Sequence, residues 1–445
     1  MPEPAPDELA TIREMVLQKQ TTARIWSRYQ GLWQSMGYTS ENDGRFLEYI
    51  ENIVSSTDYT ETTPRTPPVV YTPVAASGES FSQPVAVSYA GVFNSQSGYG
   101  SAALNNLIAL LKTGMHAHTP DGAPPEIVEK YGHLLTARRM DCAVRVAHFI
   151  PTMGRLGDII CTTHELNAIP NEWIRAINRN YKVMWTSSEY SKKLFTDAGV
   201  TIPTTVVPYA LDTKTFSPNR WPLNTKVKGE YRFLFVGQWM ERKNVTGMLK
   251  AYLKAFGPDD AVNLILRSHS DCDNGSAVQL VTGAIKKLKT ELGISRTPKI
   301  TYLEAIDHKL MPNLYATADC LLFPVRCEGF GYPLIEAMAT GKPVITSDWP
   351  AMNEIVTSEC GYLVDTEQKL MKAEDMAWAP DAYKPNEGAF WGDPSEESLI
   401  EAMRKAFENP EEGFRKGLAG RRRFMEKYTH EIVGSMMKRS IEAML

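Results

Sequence analysis

Two glutamates stand eight residues apart in the stretch CEGFGYPLIEAMATGKPVI, residues 327–345. An apolar run precedes the stretch and predicts a buried strand, and Pro333 fits the first position of a helix, where its missing N–H costs nothing. A helix start at the end of a strand offers free N–H groups and a positive dipole end, which suit a diphosphate. Carboxylates repel phosphate, so we expect Glu328, in the loop, and Glu336, in the first helical turn, to bind the hydroxyls of a sugar and of a ribose.

The alternative for these glutamates is an acidic first helical turn that the helix dipole stabilises. Two glutamates alone would fit that explanation. The intact pattern favours a ligand site, because Gly329 and Gly331 let the backbone approach a ligand closely.

A second candidate group is the cation pair Arg242–Lys243 in FVGQWMERKN, residues 235–244. A strand, a turn at Gly237 and the two adjacent cations precede a predicted helix. Cations at the carboxyl end of a strand could hold a diphosphate and stabilise its charge as it leaves. A solvated basic pair is the alternative.

Two further candidates, His164 and Glu165, end the predicted strand in GDIICTTHE, residues 157–165. The carboxyl edge of a parallel sheet is where ligands bind in doubly wound folds. A single histidine is more often a structural residue, so the residues alone leave both candidates open.

The pattern G-x-G-x-x-A, from Gly98 to Ala103, follows the first predicted strand and opens a helix. It fits a dinucleotide-binding fingerprint. No strand that ends in an acidic residue is predicted about 20 residues further on, as that fingerprint requires, because residues 116–121 resemble a loop.

The stretch 327–345 resembles the E-x7-E motif of glycosyltransferase family 4, which comprises retaining enzymes of the GT-B fold. The turn at 237–243 is similar to the family's G-x5-K turn, and the resemblance extends over residues 85–445. Gln238 departs from the pattern, since many members have arginine directly after the glycine.

The resemblance implies a role for each matching residue. Glu328 would bind the donor sugar, Glu336 its ribose, and Lys243 with Arg242 the donor phosphates. The family's histidine at the end of an N-terminal-domain strand favours His164 over Glu165. The predicted catalytic residues are His164, Glu328, Lys243 and Arg242, and the predicted donor-binding residues are Gly237, Gln238, Arg242, Lys243, Glu328, Gly329, Phe330, Gly331, Tyr332, Pro333, Leu334, Glu336, Gly98 and Gly100.

The elements that must position these residues alternate between strand and helix in two successive series. Such alternation predicts parallel sheets that helices cover on both faces. We therefore expect an α/β protein of the GT-B fold, with two doubly wound, Rossmann-like domains that face each other across a cleft. The predicted divisions are a helical N-terminal extension (1–62), a linker rich in Pro, Ser and Thr (63–84), an acceptor domain (85–215), a donor-binding domain (216–425) and a terminal helix that crosses back to the N-terminal domain (426–445).

Composition excludes several other classes of protein. The chain has 445 residues, 43% of them hydrophobic and 22% charged, with a formal net charge of −4, so no basic field would collect nucleic acid. Its six cysteines form no C-x-x-C pair and no zinc-type cluster, and no apolar run approaches the length of a membrane span. We expect a reduced, cytoplasmic protein.

The resemblance implies a retaining glycosyltransferase that moves a hexose or pentose from a UDP- or GDP-sugar to an acceptor hydroxyl. The cations and the helix start would stabilise the leaving diphosphate, so neither a metal nor a further cofactor is expected. The acceptor stays open among polysaccharide, protein, small molecule, lipid and nucleic acid, and the N-terminal helices are candidates for self-association. The alternatives are a GT-B binding protein without turnover and a dinucleotide-dependent oxidoreductase built on Gly98 and Gly100.

Overall fold

The computed structural model divides the chain into two compact units, Met1–Ser82 and Gln83–Leu445. It describes residues 86–93, 97–135, 142–153, 156–223, 230–269, 277–303, 306–372, 375 and 388–445, all in the second unit. The predicted helical extension and linker, residues 1–84, lie outside these ranges. Each helix within the described ranges is too short or too polar to cross a membrane.

The first domain is built on a parallel sheet of six strands in the order β2-β1-β3-β4-β5-β6. Val87 pairs with Ala117 on one side and with Val144 on the other, which sets the register of the three strands at that end. The strands are β1 (Ala86–Gly91), β2 (His116–His118), β3 (Val144–His148), β4 (Ile159–Cys161), β5 (Val183–Thr186) and β6 (Thr204–Val206). The helices are α1 (Gly98–Lys112), α2 (Pro125–Tyr131), α3 (Asn171–Asn180) and α4 (Glu189–Asp197).

The second domain contains a parallel sheet of six strands in the order β12-β11-β10-β7-β8-β9. The strands are β7 (Tyr231–Gln238), β8 (Val262–His269), β9 (Lys299–Leu303), β10 (Cys320–Phe323), β11 (Val344–Ser347) and β12 (Gly361–Val364). The helices are α5 (Val245–Ala255), α6 (Ala277–Leu292), α7 (Met311–Thr317), α8 (Tyr332–Ala339), α9 (Met352–Ile355), α10 (Glu396–Glu408) and α11 (Pro410–Lys427).

The central strands of the second sheet are apolar without alternation, because helices cover both faces. The runs 233–235, 264–266 and 321–323 are buried along their whole length. The two parallel sheets with surrounding helices confirm the predicted pair of doubly wound domains.

Some elements differ from the prediction. Residues 116–118, expected in a loop, form the edge strand β2, which is short and offers little hydrophobic pattern. The second sheet's first strand continues through Gly237 to Gln238 instead of turning at the glycine. An antiparallel hairpin of β13 (Thr366–Leu370) and β14 (Phe390–Pro394) was not predicted, and most of the residues between its strands lie outside the described ranges.

The last helix, α12 (His430–Glu442), packs against α1 of the first domain. His430 Nε2 lies 2.8 Å from Asn105 Oδ1, and Lys112 pairs with Glu431 at 3.0 Å. The helices touch most closely at Gly434, where an added Cβ would lie 2.2 Å from the carbonyl oxygen of Ala109.

This close approach predicts that Gly434→Ala destabilises the protein by about 1–3 kcal/mol, because the two helices would have to move apart. Gly283→Ala is the matched control, since Gly283 lies exposed in α6 and an added Cβ would meet nothing within 4 Å. Alanine there should be neutral or stabilise by up to about 1 kcal/mol through its helix propensity. Denaturant unfolding of both variants measures the difference, and equal midpoints would contradict the packing described here.

Candidate active site

The second sheet has a topological switch point between β7 and β10, from which the chain proceeds in opposite directions along the sheet. Ligands bind at such points in doubly wound folds, because the loops that leave the two strands diverge and open a crevice. Here those loops are residues 239–244 and 324–331. They are tied together, since Arg326 N–H donates to the Arg242 carbonyl at 2.8 Å and Asn244 Nδ2 donates to the Pro324 carbonyl at 3.1 Å.

A cluster of buried charges joins the two loops. Arg242 Nη1 donates to Glu328 Oε1 at 2.9 Å, and Lys243 Nζ contacts the same oxygen. Lys243 and Glu328 are each only 8% exposed. The structure thus brings together three of the four predicted catalytic residues. Glu328 is about 85 positions from Arg242 and Lys243 in sequence.

The electrostatics of Lys243 reflect competing effects. Burial and the neighbouring Arg242 guanidinium lower the pKa of Lys243 well below its ordinary value. The nearby Glu165 carboxylate opposes this by favouring the ammonium form. Because a buried charge without a partner is strongly unfavourable, each member of the cluster depends on the others.

Helix α8 begins directly behind this cluster. Gly331 precedes it with φ 86°, a left-handed conformation that favours glycine, and Pro333 is its second residue. Glu336 is the fifth residue, so the prediction that it lies in the first helical turn is wrong. The helix starts one residue earlier than Pro333 alone indicated, and a turn takes only about 3.6 residues.

The carboxyl of Glu336 nevertheless has a specific hydrogen-bond partner. Tyr315 Oη donates to Glu336 Oε2 at 2.6 Å, and burial raises the pKa of Glu336 to about 7, while that hydrogen bond and Arg267 act to lower it. Tyr315 was not among the predicted site residues. A local pattern does not reveal this contact, because it joins side chains of two different helices, α7 and α8.

The first domain contributes His164 and Glu165 from the loop after β4. Glu165 Oε1 lies 3.7 Å from Arg242 Nη2, so its charge belongs to the cluster. His164 is fully buried, with Nδ1 accepting from Leu166 N–H at 3.1 Å and its ring edge-on to Trp173 at 5.0 Å. The catalytic role of His164 stays a prediction, and Glu165 is the one of the pair that touches the cations.

The predicted donor-binding residues of the first domain, Gly98 and Gly100, lie in the first turn of α1. Tyr99 between them places its hydroxyl 2.9 Å from Thr162 Oγ1, two residues before His164. The hydrogen bond between Tyr99 and Thr162 thus connects the start of α1 to the segment that contains His164. Contact of Gly98 and Gly100 with a donor stays a prediction.

The remaining predicted donor-binding residues have different environments. Leu334 is buried in the core, and Phe330 lies edge-on to Tyr209 of the other domain at 5.0 Å. Tyr332 Oη donates to the Ala210 carbonyl at 3.1 Å. An added Cβ at Gly237 would lie 2.9 Å from the ring of Phe235, which explains a glycine at that strand end without a ligand.

A metal is not indicated by the described side chains. Within the described ranges, no group of three or more His, Cys, Asp or Glu residues is arranged to hold a metal ion. That no metal is required for activity stays a prediction.

Comparison with known proteins places this site in a family context. Residues 230–378 match the family model described as Glycosyl transferases group 1. O-antigen chain mannosyltransferase B of Escherichia coli is 28% identical over 271 residues, which cover 54% of this chain and 68% of that protein. O-antigen chain mannosyltransferase RfbU of Salmonella typhimurium is 30% identical over 168 residues, which cover 37% of this chain and 44% of that protein. The crystal structure of Anabaena HepE in complex with UDP and glucose has a TM-score of 0.58 at 14% identity and covers 80% of this chain and 99% of that one.

The chain has the GT-B fold, and its residues 230–378 are similar to the group 1 glycosyltransferases. The matched residues 230–378 include Arg242, Lys243, Glu328 and α8, so the family model covers much of the site that sequence analysis singled out. The alternative of a dinucleotide-dependent oxidoreductase finds no support in these matches.

The raised pKa of Glu336 predicts how the stability of the protein changes with pH. The folded carboxyl binds its proton more tightly than the unfolded one, so stability should fall as pH rises from about 4.5 to about 7. Glu336→Gln removes the charge, and it should match the wild type near pH 5 and exceed it near pH 8, by up to about 3 kcal/mol.

Thermal unfolding from pH 5 to pH 8 measures this difference. Glu401→Gln, on the exposed face of α10, is the control and should show no such growth with pH. A difference between Glu336→Gln and the wild type that stays constant with pH would refute the assignment.

Proposed function

We propose that the protein is a retaining glycosyltransferase that transfers a sugar from a nucleoside-diphosphate sugar to an acceptor hydroxyl. The observation that carries the proposal is the buried cluster of Glu328 with Arg242 and Lys243 at the switch point, directly before the N-terminus of α8. Two cations and a helix N-terminus form a site for a diphosphate, and a carboxylate beside them forms a site for sugar hydroxyls.

The cluster supplies a mechanism for donor binding. Without a ligand, Glu328 and Glu165 together balance the charges of Arg242 and Lys243. A donor diphosphate would take over both cations and leave the Glu328 carboxylate to accept hydrogen bonds from the sugar. The exchange keeps both cations paired throughout, which avoids the large penalty of an isolated buried cation.

The same residues would stabilise the transition state. As the bond between the sugar and the diphosphate breaks, negative charge grows on the leaving oxygen, and the fixed cations and helix dipole lie where that charge develops. The departing diphosphate would accept the acceptor's proton on the face from which it leaves, so the new bond forms with retained configuration. No protein carboxylate is then needed as a nucleophile.

Glu336 would bind the ribose of the donor. It is the fifth residue of α8, and Tyr315 donates a hydrogen bond to one of its carboxyl oxygens. Ribose hydroxyls could bond to the other oxygen. Glu336 would therefore contact the nucleotide part of the donor, and Glu328 would contact its sugar part.

The donor sugar is proposed to be a hexose, with mannose as the first to test. This proposal rests on the names of the two relatives, both of which are mannosyltransferases of the O-antigen chain. HepE, whose structure contains UDP and glucose, supports a nucleotide-linked donor for this fold. GDP- and UDP-hexoses are accordingly the donors to screen first, and the acceptor is a hydroxyl of unspecified class.

Two substitutions test the cluster. Glu328→Ala and Lys243→Ala should each lower transfer by about a hundredfold or more, because each removes a group that contacts the reacting part of the donor. Hydrolysis or transfer assays with GDP- and UDP-hexoses measure the effect, and circular dichroism shows that the fold persists.

Lys254→Ala is the matched control. Lys254 also pairs with a glutamate, Glu396, but on the surface of the second domain and away from the switch point. It should keep full activity. Unchanged turnover in Glu328→Ala or Lys243→Ala would remove the proposal, and donor binding without any turnover in the wild type would favour a binding protein.

The stereochemical outcome is a separate test. Proton NMR of the first product formed should show an anomeric coupling constant of the same class as the donor. An inverted anomeric centre would contradict the proposed role of the diphosphate, while leaving the donor site itself in place.

A further inference from the structure

The segment 187–191 of the first domain contacts the second domain at two separate places. Strand β5 ends just before the segment, and α4 begins within it at Glu189. The segment therefore lies at the carboxyl edge of the first sheet, on the side that faces the loop 324–331. Its two contacts have different chemistry.

The first contact fixes a backbone carbonyl of the loop that carries Glu328. The Gly329 carbonyl accepts hydrogen bonds from Ser187 Oγ at 2.9 Å and from Thr163 Oγ1 at 3.1 Å. Thr163 Oγ1 also lies 3.0 Å from Ser191 Oγ and 2.9 Å from Ser187 Oγ, so the three hydroxyls form one cluster at this carbonyl. An added Cβ at Gly329 would lie 2.7 Å from Thr163 Cγ2, so the two domains approach here as closely as a glycine allows.

The second contact is a helix cap that crosses between the domains. Glu354, in α9 of the second domain, accepts from the backbone N–H groups of Glu189 at 2.9 Å and Tyr190 at 2.6 Å. Ser188 Oγ of the first domain accepts from Ser191 N–H at 3.0 Å. The N-terminus of α4 thus takes one cap from its own domain and a carboxylate from the other. A carboxylate is favoured there by both its charge and the helix dipole.

Glu354 is held firmly within its own domain. Arg423 of α11 donates to the backbone carbonyls of Glu354 at 2.7 Å and Ile355 at 2.8 Å. Ala351, just before α9, has φ 73°, a conformation that residues other than glycine rarely adopt. The packing that maintains this conformation fixes the direction in which α9 presents its carboxylate.

We propose that Glu354 and the N–H groups of Glu189 and Tyr190 form a clasp that holds the two domains closed. We further assign Thr163 and Ser187 as positioning residues, which hold the Gly329 carbonyl, and with it the adjacent Glu328, when the clasp is closed. The positioning role rests on the proposed function, whereas the clasp itself does not.

The connection between the domains allows the clasp to open. The chain passes from the first domain to the second after Leu211 and returns at Tyr428, and the two crossings pair where Leu211 N–H donates to the Tyr428 carbonyl at 2.9 Å. Rotation about these crossings would separate the clasp and the Gly329 contact while this pairing stays intact. Hinge motions of this kind concentrate at a few residues between domains.

Distance measurement by pulsed EPR on the full chain tests the clasp without any substrate. Spin labels at Lys193→Cys in α4 and Glu401→Cys in α10, on a Cys142→Ser and Cys272→Ser background, report the separation of the domains. Glu354→Ala should move the distance distribution to longer values by several Å or broaden it, because the charge-assisted bonds that favour closure are lost. Glu354→Gln keeps one acceptor oxygen and should give a smaller shift.

Ser395→Ala is the matched control, since Ser395 caps α10 entirely within the second domain. It should lower the melting temperature without moving the distance distribution. A distribution that is the same in Glu354→Ala and the wild type, in folded protein, would overturn the clasp.

The positioning residues are tested by Thr163→Val and Ser187→Ala, which keep the shape of the contact nearly unchanged. Each should lower kcat/KM for the donor about tenfold, the loss expected for one hydrogen bond, with the melting temperature preserved. An unchanged kcat/KM would overturn their role. A wild-type chain that transfers no sugar would contradict the proposed function, and the distance result for the clasp would still stand.

Discussion

The buried pairing of Glu328 with Arg242 and Lys243 is the interaction on which the arrangement of the second domain depends. Charges so deeply buried are tolerated only as partners, because an unpaired one would be destabilising by several kcal/mol. The loops after β7 and β10 must therefore stay in register with each other. Two hydrogen bonds, from the Arg326 N–H to the Arg242 carbonyl and from the Asn244 side chain to the Pro324 carbonyl, maintain that register. A cluster that satisfies itself without a ligand can also exchange one anion for another, which is the basis of the proposed donor site.

The same loop is the place where the two domains meet. Gly329 accepts hydrogen bonds from hydroxyls of the first domain, Phe330 packs against Tyr209, and Tyr332 donates to the Ala210 carbonyl at the crossing between the domains. Glu165 brings a further negative charge to Arg242 from the opposite side. The charged cluster thus lies at the domain interface. A change in the separation of the domains would therefore alter the surroundings of Glu328.

Much of this fold could be predicted from local patterns. Apolar runs such as 233–235 and 321–323 indicated buried parallel strands, and their alternation with helices indicated two doubly wound domains. Features with weak local patterns were less predictable. The three residues of β2 owe their strand conformation to pairing with β1, and the strands of the hairpin β13–β14 pair with each other across residues that carry little hydrophobic alternation. Such elements form because a partner strand is available, which a single sequence does not show.

Local sequence was enough to predict which residues form the candidate site. Glu328, Glu336, Arg242 and Lys243 stand next to strand ends, glycines and helix starts, and these are features of local sequence. The pairing of these side chains with others depends on the folded structure. This structure placed Glu165 beside Arg242, Tyr315 on Glu336 and Glu354 on α4, because these contacts join residues from different elements or different domains. Hydrogen bonds and ion pairs act over a few Å in space, and packing of the sheets and helices alone sets those distances.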